Sequence, residues 1–244
     1  MVQWFRFVFP LVVFLSCVAS FEGFLYLFLT PTELFDKVGR IIYYSYFLES
    51  DDVANFPLFA WDINLFENHK IAFYAHIFFG PIALLIGPWQ LLPSFRRKYI
   101  KLHTYLGYVY YVSQLIALPA GMILGMYEYA GLPALYGFLG MGGSTLLCSA
   151  MAFYAIKKAN YDEHREWMLR SYFIMWSSVV LFRLAIIFWI PLEVRRIGGN
   201  LPQQFQAPYI VSIYLSWSLA LLAADVYISL TKLKIKEAAK AKRK

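Results

Sequence analysis

The stretch HKIAFYAHIFFGPIALLIGPWQLLPSFRRKYIKLHTYLGYVYYVSQ, His69 to Gln114, decides the fold. It holds three of the four histidines, His69, His76 and His103. Two apolar segments, each long enough to cross a bilayer, flank a basic turn from Ser94 to Lys101. On the first, His69, His76, Gly80 and Gly87 are spaced by seven, four and seven, so they share one helical face. On the second, His103, Gly107, Tyr110 and Gln114 do the same at four, three and four. A face of small and polar residues on an apolar helix is how membrane helices pack closely and line a site.

Composition agrees. Of 244 residues, 60% are hydrophobic, 20% aromatic and only 15% charged, which is more apolar surface than a soluble domain of this length can bury. The expected fold is an all-α membrane bundle of about six transmembrane helices. The net charge of +7 is no nucleic-acid footprint, because the cations gather between apolar runs. Cys17 and Cys148 both fall inside apolar spans and read as small buried hydrophobes.

Working outward, residues 1–30 form a first span, about Phe7 to Leu29. Its start, FVFPLVVFLSCVAS after Arg6, also resembles a signal peptide, with Val18 and Ser20 before a cut. A retained helix is the expectation, because FEGFLYLFL carries the run to spanning length. Residues 31–68 form an acidic and aromatic extracytoplasmic loop. Within it RIIYYSYF, residues 40–47, reads as a short interfacial element, and a substrate lid is the sharper alternative. Residues 69–231 hold five further spans, about Ile71–Leu92, Leu102–Met126, Leu132–Ile156, Met168–Ile190 and Tyr209–Leu230. Residues 232–244 form a basic tail, helical near the membrane. Two Gly-Pro pairs, Gly80-Pro81 and Gly87-Pro88, sit in span two, and each proline frees a carbonyl one turn back.

Orientation follows from lysine and arginine. Sixteen of the 22 lie on the side of Arg6, the Arg96–Lys101 turn, the Lys157–Arg170 segment and the tail. That side is expected to be cytoplasmic, with both termini there, in the inner (plasma) membrane. No Walker loop, GxGxxG, GxSxG, HExxH or paired-cysteine motif is present, so no catalytic residue is assigned and whether the chain is an enzyme stays open.

The histidines carry the chemistry worth weighing. His69 marks the outer mouth of span two, and His76 lies two turns deeper. His103 starts span three, and His164 is placed in the inner loop before span five, at a comparable depth. Two imidazoles facing each other across a bundle are the usual axial ligands of a b-type haem. Arg97, Arg165 and Arg170 are available for its propionates. His76 has only Met141 as a partner on span four. Proton transfer, metal binding and plain structural contacts remain alternatives for all four. His164 is also explained as a residue of the helix start, with Asp162 as N-cap. Gln90, Tyr110 and Gln114 complete the polar candidates on spans two and three.

Charges inside spans need a reason, because each raises the free energy by about 3 kcal/mol. Glu22 and Arg183 lie at similar depth with opposite sign and read as an ion pair between spans one and five; Arg183 as a clamp on an anionic or quinone-like ligand is the alternative. Asp225 in span six can meet Arg170.

The pattern His76, Gly80, Gly87-Pro88, Gln90, Arg97, His103, Gly107, Tyr110, then His164-Arg165-x-Trp167-x-x-Arg170-Ser171, resembles a family of small bacterial multi-pass membrane proteins with a domain of unknown function. The likeness covers Asn68 to Leu192. It implies a helical bundle in the bacterial inner membrane and no reaction. A looser resemblance is to transmembrane b-type cytochromes and ferric reductases, from which the chain departs in having no histidine on span four.

Three functions follow as expectations. One is an electron-transfer protein with a single haem b, interacting with quinone. The second is a non-catalytic subunit or assembly factor docking to a membrane partner. The third is a small-solute transporter, which the lack of internal repeats disfavours.

Overall fold

The computed structural model describes residues 2–30, 33, 64–128, 130–197 and 204–241. The 40–47 segment and most of the acidic loop lie outside the described residues. Among those described there is no strand. Six helices are long and apolar enough to cross a membrane, and the chain is a multi-pass, all-α membrane protein in a lipid bilayer.

The helices are α1 (Val2–Leu25), α2 (Lys70–Leu91), the short α3 (Pro93–Lys98), α4 (Ile100–Gly125), α5 (Gly131–Lys157), α6 (Tyr161–Leu184), α7 (Ile190–Ile197) and α8 (Gln206–Ala241). A π-helical segment, Ala185–Trp189, joins α6 to α7. Pro191, two residues past its end, has no N–H to give the carbonyl one turn back, and Ile190 donates to the Ala185 oxygen, five residues back.

Short connections make α2–α4 and α5–α6 antiparallel hairpins, with α2 against α4 and α1, α5 against α6 and α4, and α8 against α6. One end of the bundle therefore gathers Arg96, Arg97, Lys98, Lys157, Lys158, Arg165 and Lys232; it is the basic end below. Large apolar side chains such as Phe14, Phe21, Leu115, Leu147 and Leu222 cover the lateral surface, as contact with lipid requires.

The Gly-Pro pairs explain how α2 packs. Pro88 leaves the Leu84 carbonyl without its helical donor, and the Tyr172 hydroxyl of α6 donates to it at 3.3 Å. Gly87 makes the room, since a Cβ there would stand 2.1 Å from the Tyr172 ring. One turn of sequence thus builds both halves of the seat for one tyrosine. At the other pair, Gly23 of α1 lies against the Pro81 ring. Gly80 has nothing within 4 Å, so it is not part of the packed seam. Both prolines are carried inside a continuous helix.

The basic-end turn between α5 and α6 is built from its own backbone. Asn160 N–H bonds the Ala155 carbonyl and Ala159 N–H the Ile156 carbonyl, the paired bonds of a Schellman ending. Ala159 stands at φ 56°, the left-handed position usually given to glycine. Asn160 then caps α6: its side chain accepts from Glu163 N–H at 3.3 Å and donates to the Glu163 carboxylate at 2.8 Å. The cap is Asn160, not Asp162, because the turn closes two residues earlier than expected. Helix α6 consequently starts at Tyr161, and His164 lies on the helix rather than in a loop before it.

Candidate functional site

A cleft opens at the basic end between the α2–α3 junction, α4 and α6. His103, His164, Gln90, Arg96, Arg165 and Met168 line it, with the apolar run Leu91–Pro93. Its enclosed part is small, about 30 Å³, and the rest opens outward. The two histidines predicted to share a depth therefore share one cleft.

Each is positioned by its helix. His164 reaches back across the α5–α6 turn, and its Nδ1 bonds the Ala152 carbonyl at 2.9 Å. A carbonyl only accepts, so Nδ1 carries the proton and Nε2 keeps the lone pair. His103 sits in the first turn of α4, and its Nδ1 is buried with no hydrogen-bond partner. Gln90, 9% exposed, is in the same state: its Nε2 is buried and unpartnered. Gly107 of α4 faces Gln90, whose Oε1 would stand 3.5 Å from a Cβ there. No acid lines the cleft, so its charge is positive or neutral throughout.

One to two turns deeper lies a second polar cluster, fully buried. Gln114 Nε2 donates to the Tyr110 hydroxyl at 2.9 Å. Tyr110 and Ser171 hydroxyls are 3.3 Å apart, and Ser171 and Ser149 hydroxyls 2.7 Å. Ser149 donates to Gln114 Oε1 at 2.5 Å. With Tyr110 donating to Ser171 and Ser171 to Ser149, the four bonds close into a ring across α4, α5 and α6. Each hydroxyl both donates and accepts, which is how polar groups remain stable in a dry membrane interior. Apart from the ring, the Tyr172 hydroxyl lies 3.2 Å from Ser16 of α1.

These positions lie in a stretch that a family model recognises: residues 73–228 match "Predicted membrane protein (DUF2306)". The chain belongs to the DUF2306 family of predicted membrane proteins. No curated protein and no solved structure matches the chain.

The DUF2306 region takes in the whole cleft and the ring, and runs beyond the Asn68–Leu192 likeness through most of α8. Glu22, Ser16 and His69 fall before it. The other candidates of the DUF2306 chain are placed as follows. Arg183 meets Glu22 at 3.0 Å and also bonds the Val179 carbonyl, which is the ion pair between spans one and five. Arg170 meets Asp225 at 2.7 Å and stacks on Trp167 at 4.6 Å. Arg97 is exposed and does not line the cleft; Arg96, its neighbour, does. His76 turns to α4, its Nδ1 on the Ala117 carbonyl at 2.8 Å and its ring against Gly121. His69 stacks on Tyr127 with ring centres 3.8 Å apart. Neither joins the cleft.

Arg96, Met168 and Ser149 were not among the candidate site residues, and Ser171 entered only through the family pattern. Ser171 stands one helical repeat of seven from His164 on α6, and Ser149 three residues from Ala152 on α5. Small polar residues at helical spacing inside apolar spans were the available signal. Among the described residues, no three or more His, Cys, Asp or Glu gather as a metal site.

Proposed function

We propose that the protein is a redox protein of the inner membrane that holds one haem b in the cleft at its basic, cytoplasmic end, between His103 and His164. The observation that carries this reading is the meeting of these two imidazoles, from helices α4 and α6, in one cleft with two arginines. The donor set fits the group. His164 has its Nδ1 anchored on a backbone carbonyl, the outer contact that orients a metal-binding imidazole and leaves Nε2 as ligand. Arg96 and Arg165 offer guanidinium groups for the propionates. A haem so held supplies a one-electron couple, with quinone as its exchange partner in the lipid. The residues around it orient His164, supply positive charge and keep the inner wall apolar.

A second reading, the head ring of a quinone bound directly in the cleft, is favoured by a separate observation. Gln90 Nε2 is a buried donor without an acceptor, and quinone carbonyls are acceptors.

The test is the absorption spectrum of protein purified in mild detergent from haem-replete cells, oxidised and then dithionite-reduced, with a pyridine haemochrome assay. The expected result is a reduced α-band of haem b that His103→Ala and His164→Ala each abolish. A colourless protein overturns the haem reading. Quinone in its solvent extract, lost on Gln90→Leu, would then establish the second.

A further inference from the structure

Helix α8 does not stop at the membrane. Its 36 residues rise about 54 Å at 1.5 Å each, against a hydrocarbon core of about 30 Å. From Lys232, level with Glu166 of α6, the helix runs on to Ala241 with every residue exposed. Lys232, Lys236 and Lys240 follow at intervals of four, so they form one ladder along the helix. Like charges at that spacing repel and weaken a helix. Glu166 of α6 answers only the first rung, bonding Lys232 at 2.7 Å. Glu237 is the sole acid in the exposed segment.

The same rim carries more unanswered cations. Lys157 and Lys158 lie over Phe153 and Tyr154, 5.1 and 5.6 Å from the ring centres, and Lys98 lies over Tyr99 at 5.1 Å. Tyrosine at the end of a span belongs at headgroup level. The ammonium groups beside these rings are therefore held at the phosphate layer. That layer adds roughly 5–7 Å to each side of the core, and the ladder begins inside it.

We propose that the lysine ladder of α8 binds the phosphates of anionic phospholipids in the leaflet at the basic end, and that this binding keeps the projecting segment helical. The partner is a lipid surface rather than a protein, because the ladder is regular, its outer rungs Lys236 and Lys240 are exposed, and it rises through the headgroup layer. The proposal does not depend on what occupies the cleft.

The experiment is amide hydrogen exchange on the full chain in lipid nanodiscs, comparing phosphatidylcholine alone with phosphatidylcholine containing phosphatidylglycerol. Exchange over residues 233–241 should slow in the anionic discs by roughly fivefold for each lysine engaged. High salt should remove the effect, and so should Lys236→Gln with Lys240→Gln, while exchange in α4 stays unchanged and reports an intact bundle. Inorganic phosphate added to phosphatidylcholine discs should not slow exchange; if it does, the source is a soluble anion and the lipid assignment fails. Equal exchange in the two disc types overturns the proposal.

Discussion

Arg183 and Glu22 show what a single charge does inside an apolar span. Either alone leaves a charge in the membrane without its counter-ion, and the 3.0 Å contact removes that penalty for both. Arg183→Ala should therefore lower stability by about 2–3 kcal/mol, and adding Glu22→Ala should restore most of it. Thermal midpoints of the two single variants and the double variant in detergent measure the coupling. A double variant as unstable as Arg183→Ala would mean the two charges act independently. The Tyr110–Ser171–Ser149–Gln114 ring follows the same rule for neutral groups. It differs in having no spare donor, whereas Gln90 in the cleft has one. That contrast separates a polar cluster whose groups are all satisfied from one with an unpartnered donor.

At the scale of elements, the α5–α6 hairpin positions His164. Its geometry depends on a left-handed residue at position 159, where the chain carries alanine. Glycine adopts that conformation without the Cβ clash that strains an alanine there. Ala159→Gly should raise stability by about 1 kcal/mol, read as a higher unfolding midpoint, without moving the His164–Ala152 contact. A lower midpoint would show that chain entropy outweighs the relieved strain. Helix α2 teaches a related point about Gly-Pro pairs. Both pairs have the same sequence, yet only Gly87-Pro88 receives a tyrosine; Gly80 faces open space.

At the scale of the whole molecule, the distribution of sixteen of 22 cations at one end sets an orientation. The α8 tail should then be on the cytoplasmic face. Trypsin should trim the tail in inverted membrane vesicles and leave it intact in sealed spheroplasts; the opposite pattern would reverse the topology. The cleft would then open outside.

Much of this was legible in residue order. Six apolar runs of spanning length, the depth shared by His103 and His164, and the opposite signs of Glu22 and Arg183 are one-dimensional properties. Hydrophobic length and helical period report them directly, because a bilayer imposes a fixed thickness and a helix a fixed rise. Which neighbours meet across helices was not legible. The choice of Arg96 over Arg97 depends on the rotation of a six-residue helix about its axis. Asn160 rather than Asp162 caps α6 because the preceding helix ends in a Schellman turn. The ring of Tyr110, Gln114, Ser149 and Ser171 needs three helices at one depth and one set of rotations. Those rotations come from side-chain packing between distant segments, which spacing along a single helix does not contain.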